Sequence, residues 1–210
     1  MESQLSTITY LKGLEMHYKV VESFTSIQGE GIHMGRPATF IRLFGCNLKC
    51  PFCDEPKHTQ LNLVKNLTAE AIAELVETKL VVITGGEPSI NDINPLIWFL
   101  QDEGYEVQVE TNGFSFLNVE DADTVTLSPK KYAPRPKGFW TEVKLLVSAI
   151  DYDRVETEIE YWKGQGVTVS LQPINGLNTI NPESMRVAMR LATKHDVRLS
   201  PQLHKLIGVE

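Results

Sequence analysis

Cysteine is scarce in this chain, and its three copies occupy a single short stretch. Cys46, Cys50 and Cys53 lie within eight residues, and the rest of the 210-residue sequence has no further thiol. A disulfide framework needs an even number of cysteines spread along the chain, so this distribution excludes one. Three soft thiolate ligands in one loop instead indicate a metal ion or an iron–sulfur cluster.

Two further absences narrow the class of protein. No apolar run approaches the ~20 residues that span a bilayer, and residues 1–16 lack the charged and apolar segments of a secretory signal. The formal charge of −7 argues against the Lys/Arg-rich surface that phosphate contacts need. We therefore expect no membrane and no nucleic-acid partner, and a cytoplasmic location in which thiols stay reduced.

Apolar patterns typical of strands and helices alternate along most of the chain. Residues 1–16 are predicted to form an N-terminal arm, and residues 17–210 a single core domain. Strands are predicted at 17–24, 38–44, 80–83, 105–110, 124–127, 139–147, 167–172 and 197–199. Helices are predicted from the N-cap Thr68 to Glu77, over 95–103 and 152–163, and from the N-cap Asn181 onward. Repeated strand–helix units predict an α/β fold with a parallel sheet.

Four of the predicted strands carry polar side chains on one face and apolar side chains on the other. The polar positions are Arg42, Gln108, Glu110, Glu142, Lys144, Thr168, Ser170 and Gln172. A sheet covered by helices on both faces has apolar central strands, whereas a barrel that binds a polar ligand has a polar inner face. A full eightfold barrel takes about 250 residues, so this chain has room for about six strands. We expect an incomplete, open β/α barrel of the α/β class; an ordinary sheet with solvated edges is the alternative.

Arg42 lies in the middle of a short apolar strand, where an unpaired charge would be costly. Either a carboxylate inside the protein or a bound anion must neutralise it. Two polar segments, 84–88 and 110–113, directly follow predicted strands. The carboxyl ends of parallel strands are where barrels place their sites, so we expect the functional groups there.

The cysteine loop fits two kinds of metal site. A tetrahedral zinc site needs four protein ligands, and His58 is a candidate fourth ligand beside the three cysteines. A 4Fe–4S cluster with three thiolate ligands leaves one iron for substrate or cofactor chemistry. The spacing is not the paired Cys-x-x-Cys arrangement usual for zinc, but both interpretations stay open on the residues alone.

Two motifs carry a resemblance to a known superfamily. Cys46-x-x-x-Cys50-x-x-Cys53, with Phe52 before the last cysteine, resembles the signature of radical S-adenosylmethionine (SAM) enzymes, and Gly85-Gly86-Glu87 resembles the motif after their second strand. More specifically, the chain resembles the 7-carboxy-7-deazaguanine synthase family along nearly its whole length after the N-terminal arm. The other matching segments are residues 27–31, 35–37, 42, 45–48, 84–88, 110–113, 128–130, 172–173 and 202–205.

The resemblance implies a reaction, cofactors and partners. The reaction is a radical SAM lyase step that converts 6-carboxy-5,6,7,8-tetrahydropterin to 7-carboxy-7-deazaguanine with loss of ammonia, in queuosine- or archaeosine-type 7-deazapurine biosynthesis. The cofactors are a 4Fe–4S cluster, SAM and Mg²⁺, and SAM is regenerated. The partners are the small pterin substrate, an electron donor such as flavodoxin, and a second copy of the chain in a homodimer. Two alternatives stay open: a glycyl-radical enzyme activase, and a non-catalytic zinc module.

The resemblance also implies roles for individual residues, with no catalytic side chain beyond the cofactor-bound radical. Cys46, Cys50 and Cys53 would hold the cluster. SAM would be bound by Phe52, Asp54, Gly86, Ser128, Pro129, Lys130, Gln172, Pro173, Ile174 and Asn175. The substrate would be bound by Ile27, Gln28, Gly29, Arg42, Thr84 and Glu210, the last through the terminal carboxylate.

One position departs from the family pattern. After Cys53-Asp54 the family has a threonine that contacts Mg²⁺, whereas this chain has Glu55. A carboxylate is a good ligand for this hard cation, so Glu55 is a candidate Mg²⁺ ligand. The sequence equally allows Glu55 to reach past the ion, or to pair with a lysine that replaces it.

Overall fold

The computed structural model describes residues 16–50, 53, 55–130, 134–176 and 179–209. Three predicted site residues, Phe52, Asp54 and Glu210, lie outside these ranges, as do residues 1–15 of the predicted arm. Their assigned roles therefore stay predictions.

Nine strands form one sheet in the part of the chain that the structure describes. They are β1 (Tyr18–Ile27), β2 (Pro37–Leu43), β3 (Lys65–Leu67), β4 (Leu80–Gly85), β5 (Glu106–Thr111), β6 (Thr124–Leu127), β7 (Glu142–Val147), β8 (Thr168–Pro173) and β9 (Arg198–Leu199). The order across the sheet is β3-β1-β2-β4-β5-β6-β7-β8-β9, so the sheet does not close on itself. β1 and β3 pair antiparallel, whereas β2–β4, β4–β5, β6–β7, β7–β8 and β8–β9 pair parallel. This open, mostly parallel sheet confirms the predicted α/β class with an incomplete barrel.

The α-helices are α1 (Ala69–Ala73), α2 (Asn94–Asp102), α3 (Tyr152–Gly164), α4 (Pro182–His195) and α5 (Leu203–Ile207). The side chain of Asn181 caps α4 by accepting hydrogen bonds from the amides of Glu183 and Ser184, at 3.1 and 3.0 Å. Thr68 caps α1 in the same way, through the amide of Ala71 at 3.3 Å. Both predicted N-caps are thus confirmed. Among the described residues, no helix has the length and apolar character needed to cross a membrane.

Some elements differ from the sequence prediction. α1 ends at Ala73 and not at Glu77, because the amides of Leu75 and Val76 bond to carbonyls three residues back, as in a 3-10 turn. The sheet has nine strands in the described residues, which are the eight predicted segments and β3, whereas the chain length suggested a barrel of about six. Both β3 and α5 fall in segments for which the sequence predicts no element. They span three and five residues, which is too short to show a hydrophobic period.

The described residues fall into two compact units. Unit 1 comprises those within Met1–Thr25, Pro37–Val125 and Pro136–Phe139, and unit 2 those within Ser26–Arg36, Thr126–Arg135 and Trp140–Glu210. Buried side chains that form the core of unit 1 include Ile41, Ile83, Leu96, Leu100 and Val107. Those that form the core of unit 2 include Val143, Leu145, Ile159, Leu171 and Leu191. The prediction of a single core domain over residues 17–210 stays a prediction.

Most of the polar positions predicted on the central strands are buried, whereas Arg42 and Glu110 are partly buried. Gln108, Glu142 and Ser170 are fully inaccessible to solvent, and Lys144 and Gln172 nearly so. Only Thr168, at the start of β8, is exposed among the polar positions predicted for that strand. Because buried polar groups must be hydrogen-bonded or paired, these faces define polar interiors and not solvated edges. The alternative of an ordinary sheet with solvated edges is therefore wrong.

Candidate active site

The three cysteines follow β2 in unit 1. Cys46 and Cys50 are partly buried, Cys53 is exposed, and all three are free thiols. The Leu48 amide donates to the sulfur of Cys46 at 3.4 Å, and the Cys53 amide donates to the carbonyl of Cys50 at 3.1 Å. Burial raises the pKa of the Cys46 thiol above its ordinary value of 9.0, although the Leu48 hydrogen bond opposes this.

The donor set fits a soft iron–sulfur centre. Three unpaired thiols on one loop are the ligands that such a cluster requires. Within the described residues, no three His, Cys, Asp or Glu side chains are gathered as metal ligands. His58, the candidate fourth zinc ligand, is buried, and its Nδ1 is hydrogen-bonded to the carbonyl oxygen of Glu55. The described part of the loop thus supplies three free thiols, but it gathers neither the three thiols nor His58 into a formed metal site.

Two glycines at the end of β4 allow the backbone to lie against the start of the cysteine loop. A Cβ at Gly85 would come within 2.6 Å of the Leu43 carbonyl oxygen, and one at Gly86 would overlap the carbonyl oxygen of Gly45. The Glu87 amide donates to that same Gly45 oxygen at 2.8 Å. Gly45 precedes the first cysteine, so these contacts fix the base of the cysteine loop to the end of β4.

The carboxylate of Glu87 joins the ends of β4 and β5. It is almost fully buried and accepts hydrogen bonds from Ser89 (amide 2.9 Å, hydroxyl 2.7 Å), the Thr111 hydroxyl (2.5 Å) and the Asn112 amide (2.6 Å). Asn112 in turn donates to the side chain of Asn47 in the cysteine loop at 2.9 Å. Sequence reasoning missed this role of Glu87; an acid directly after two glycines at a strand end was its only signal.

Arg42 is neutralised by carboxylates of the protein. Its Nε donates to Glu22 at 3.0 Å, and its Nη2 lies 3.3 Å from Glu55 Oε2. Lys57 completes the group, because its Nζ lies 2.5 Å from Glu22 and its amide donates to Glu55 at 2.9 Å. Burial acts to raise the pKa of Glu22, but hydrogen bonds and charge from Lys57 and Arg42 outweigh it and hold that pKa below 4.5. Thr84 is the register partner of Arg42 on the neighbouring strand.

The predicted partner of Arg42 is thus a carboxylate inside the protein, and sequence reasoning did not identify it as Glu22 and Glu55. Among the described residues, Glu55 pairs with Arg42, and the backbone amide of Lys57 donates a hydrogen bond to its side chain. The suggestion that Glu55 pairs with a lysine side chain stays a prediction.

In unit 2, the predicted substrate loop is held in place by the C-terminal tail. The Gln28 amide and carbonyl bond to Arg36 and Gly35, each at 2.7 Å. The Gly29 carbonyl accepts from the Leu203 amide at 2.9 Å, and a Cβ at Gly29 would overlap the ring of His204. Ile27, the first residue of this segment, ends β1. The close approach of His204 explains why this loop position is glycine.

Glu30, next in the same loop, is buried beside a lysine. It forms an ion pair with Lys144, and accepts hydrogen bonds from Gln202 at 2.9 Å and Gln172 at 3.3 Å. Burial acts to raise the pKa of Glu30, but the charge of Lys144 and the hydrogen bonds from Lys144 and Gln202 hold it below 4.5. The sequence gives no sign of this pairing, because its partners lie far apart along the chain.

Glu142 is a second buried carboxylate of unit 2. It accepts hydrogen bonds from the hydroxyls of Ser170 and Thr126 and from the Ile32 amide, the last two at 3.1 and 3.2 Å. Ser200 adds a bond to the Gly31 amide at 2.7 Å. Neither Glu142 nor Ser200 was assigned a role from the sequence, yet both hold the loop that carries Gln28 and Glu30.

The segments predicted to bind SAM in unit 2 lie after parallel strands. Ser128, Pro129 and Lys130 follow β6, while Gln172 and Pro173 end β8 and Ile174 and Asn175 follow it. Two of their buried polar atoms, Oε1 of Gln172 and Nδ2 of Asn175, have no hydrogen-bond partner among the described residues. Orphaned polar atoms of this kind fit a polar cofactor that completes their hydrogen bonds.

Comparison with known proteins identifies the class. The family model described as the radical SAM superfamily matches residues 40–192, which include the cysteine loop and Gly85-Gly86-Glu87. The chain is therefore a radical SAM enzyme, and this class implies a 4Fe–4S cluster and SAM as cofactors.

The relatives narrow the class to one family. The 7-carboxy-7-deazaguanine synthase of Aquifex aeolicus is 37% identical over 206 residues, covering 90% of this chain and 93% of that protein. The synthase of Bacteroides thetaiotaomicron is also 37% identical, with 92% and 100% covered. The crystal structure of QueE from Escherichia coli superposes with a TM-score of 0.78 at 26% identity, covering 93% of this chain and 98% of that one. The chain belongs to the 7-carboxy-7-deazaguanine synthase family, which confirms the predicted family and lyase class.

Proposed function

We propose that this chain converts 6-carboxy-5,6,7,8-tetrahydropterin to 7-carboxy-7-deazaguanine with loss of ammonia. The observation that carries the proposal is the arrangement in unit 1. There, a loop with three free thiols is fixed to the end of β4 at Gly86 and Glu87, next to a strand that presents Arg42. This arrangement supports both a cofactor site and an anion site at the ends of parallel strands.

The cofactor side of the site is assigned as follows. Cys46, Cys50 and Cys53 hold the 4Fe–4S cluster, and the backbone of Gly86 contacts the methionine part of SAM. Gln172 offers its orphaned Oε1 to SAM. When bound, the reduced cluster and SAM supply the one-electron chemistry that takes a hydrogen atom from the substrate. The protein's own share is to bind, orient and exclude water.

The substrate is bound by one charged side chain and by one uncharged loop segment. The Arg42 guanidinium is the charged partner for the pterin carboxylate, with Thr84 beside it on β4. Ile27, Gln28 and Gly29 supply backbone and amide groups for the pterin ring. Their loop is held by Glu142 and the tail, so these groups are preorganised and little ordering is needed on binding.

The proposal also covers the need for Mg²⁺, the electron donor and the oligomeric state. We expect Mg²⁺ to stimulate turnover, a flavodoxin-type donor to reduce the cluster, and a homodimer in the cytoplasm. Full activity in chelator-treated assays would contradict the first expectation. Sedimentation of the anaerobic protein as a monomer would contradict the last.

The test is anaerobic reconstitution followed by turnover. The expected protein is brown, with about four irons per chain, and mass spectrometry detects 7-carboxy-7-deazaguanine when the pterin, SAM and a reductant are supplied. A colourless protein that contains zinc would favour the zinc module. A brown protein that cleaves SAM but leaves the pterin unchanged would favour the activase.

A further inference from the structure

The carboxylate of Glu55 occupies one edge of the arginine assigned to the substrate. Its Oε2 lies 3.3 Å from Arg42 Nη2, and its Oε1 accepts the Lys57 amide at 2.9 Å. This second bond caps the 3-10 helix Pro56–Thr59, so the backbone fixes where the carboxylate can reach. Glu55 is therefore positioned toward Arg42 by the fold and is not a freely mobile surface group.

Arg42 is held in place independently of Glu55. Its Nε donates to Glu22 at 3.0 Å, and its guanidinium lies 5.8 Å from the centre of the Phe24 ring. Phe24 in turn stacks on Phe40 with ring centroids 5.0 Å apart. The Arg42 side chain is only 13% exposed, so the protein presents a largely desolvated, fixed guanidinium.

Among the described residues, the charges of this group balance before any substrate arrives. Arg42 and Lys57 supply two positive charges, and Glu22 and Glu55 supply two negative ones. An incoming carboxylate thus meets a neutral group in which the guanidinium is already paired. It gains a full ion pair with Arg42 only if one of the two resident carboxylates leaves.

We propose that Glu55 is a place-holding carboxylate, which neutralises Arg42 in the free enzyme and yields its position on Nη2 to the carboxylate of the substrate. This inference rests on the proposed function, which assigns a carboxylate-bearing pterin to Arg42. Glu55 yields in preference to Glu22 because, among the described residues, Glu22 pairs with two cations, Arg42 and Lys57, whereas Glu55 pairs with one, Arg42. Glu55 is thereby a specificity-determining residue: it lowers the affinity for any anion too weak to displace it.

The test is the affinity of the holoenzyme for its substrate when the charge of Glu55 is removed. Glu55→Gln keeps the shape of the side chain and its bond to the Lys57 amide. We expect the dissociation constant of 6-carboxytetrahydropterin, measured by anaerobic calorimetry with SAM and without reductant, to fall about five- to tenfold, because a like charge beside the incoming carboxylate is gone. The KM in turnover should fall by a similar factor.

Two controls isolate the charge. Glu183→Gln removes a carboxylate from an exposed pair with Arg186 and should leave the affinity unchanged. Tetrahydropterin without the carboxylate should bind the wild type and Glu55→Gln equally. If Glu55→Gln fails to load its cluster, as judged by iron content, Glu55→Ala is expected to shift the affinity in the same direction.

An unchanged or weaker affinity in Glu55→Gln would overturn the inference while leaving the proposed function intact. A weaker affinity together with lost stimulation by Mg²⁺ would instead identify Glu55 as a metal ligand. Failure of the wild type to bind or convert the pterin would overturn the proposed function itself, and the inference with it.

Discussion

Units 1 and 2 neutralise their functional carboxylates in different ways. In unit 1, Glu22 pairs with Arg42 and Lys57, Glu55 pairs with Arg42, and the side chains of this group are between 13% and 39% exposed. In unit 2, Glu30 forms an ion pair with Lys144, whose side chain is 6% exposed, and the charge of His204 has a smaller effect on Glu30. The first arrangement has two cations, two carboxylates and access to water, whereas the second is centred on one ion pair with little access to solvent.

This difference separates a group that can exchange partners from one that cannot. In unit 1, each carboxylate that leaves a cation can be hydrated, so a substrate carboxylate can compete at modest cost. In unit 2, any rearrangement leaves a charge buried, which costs several kcal/mol. We infer that the unit 1 group serves binding, while Glu30 and Lys144 serve to fix the substrate loop.

Removal of the buried lysine is expected to have the largest effect. Lys144→Met removes the ion-pair partner of Glu30 and should lower the free energy of unfolding by about 3–5 kcal/mol. Anaerobic urea titration followed by circular dichroism measures this. Lys194→Met, which removes an exposed pair with Glu156, is the control and should change little. A loss of unfolding free energy below about 1 kcal/mol for Lys144→Met would contradict the claim that the unit 2 ion pair cannot exchange partners.

Removal of the paired cation Arg42 in unit 1 should destabilise the protein less than removal of Lys144 in unit 2. Arg42→Met is expected to lower the free energy of unfolding by about 1–2 kcal/mol, because Glu22 keeps its pair with Lys57 and Glu55 can be hydrated. The same variant should lose measurable affinity for the carboxylated pterin. Equal losses of stability for Arg42→Met and Lys144→Met in the same titration would contradict the proposed difference between the units.

Protonation of Glu30 at low pH should lower the free energy of unfolding. The pKa of Glu30 is held below 4.5 in the folded state, since Lys144 and Gln202 outweigh the effect of burial. The unfolded chain then binds the proton more tightly, so the stabilisation is complete above about pH 4.5 and is lost as the pH falls through the folded pKa. Glu30→Gln should therefore flatten the loss of stability between about pH 5 and 3. Parallel curves for Glu30→Gln and wild type would show that Glu30 contributes nothing to acid sensitivity.

Local features of this protein could be predicted from its sequence, whereas the pairings of its charges could not. β6 matches its predicted range of 124–127, and Thr68 and Asn181 are the N-caps that their side chains suggest. The cysteine loop and the polar strand faces could also be predicted, because each is recognisable from the pattern of a few residues close together in the sequence.

Pairings between distant residues depend on the tertiary fold. Glu30 and Lys144 are separated by 114 residues, and Arg42 and Glu22 by 20, so no spacing rule joins them. β3 likewise exists only because its three residues pair with Tyr18, Lys19 and Val20 of β1. The candidate site could thus be located from motifs, but the identity of the group around Arg42 required the structure.

The smallest expected effects compare one helix cap from each unit. Asn181→Ala should lower the free energy of unfolding by about 1 kcal/mol, because two amides at the start of the 14-residue α4 lose their acceptor. Thr68→Ala should cost about 0.5 kcal/mol, since it removes one longer bond from the five-residue α1. Asn181→Asp and Thr68→Ser keep an acceptor oxygen and should each restore most of the loss in urea titrations. A larger loss for Thr68→Ala than for Asn181→Ala would mean that α1 supports unit 1 more than its single capping bond indicates.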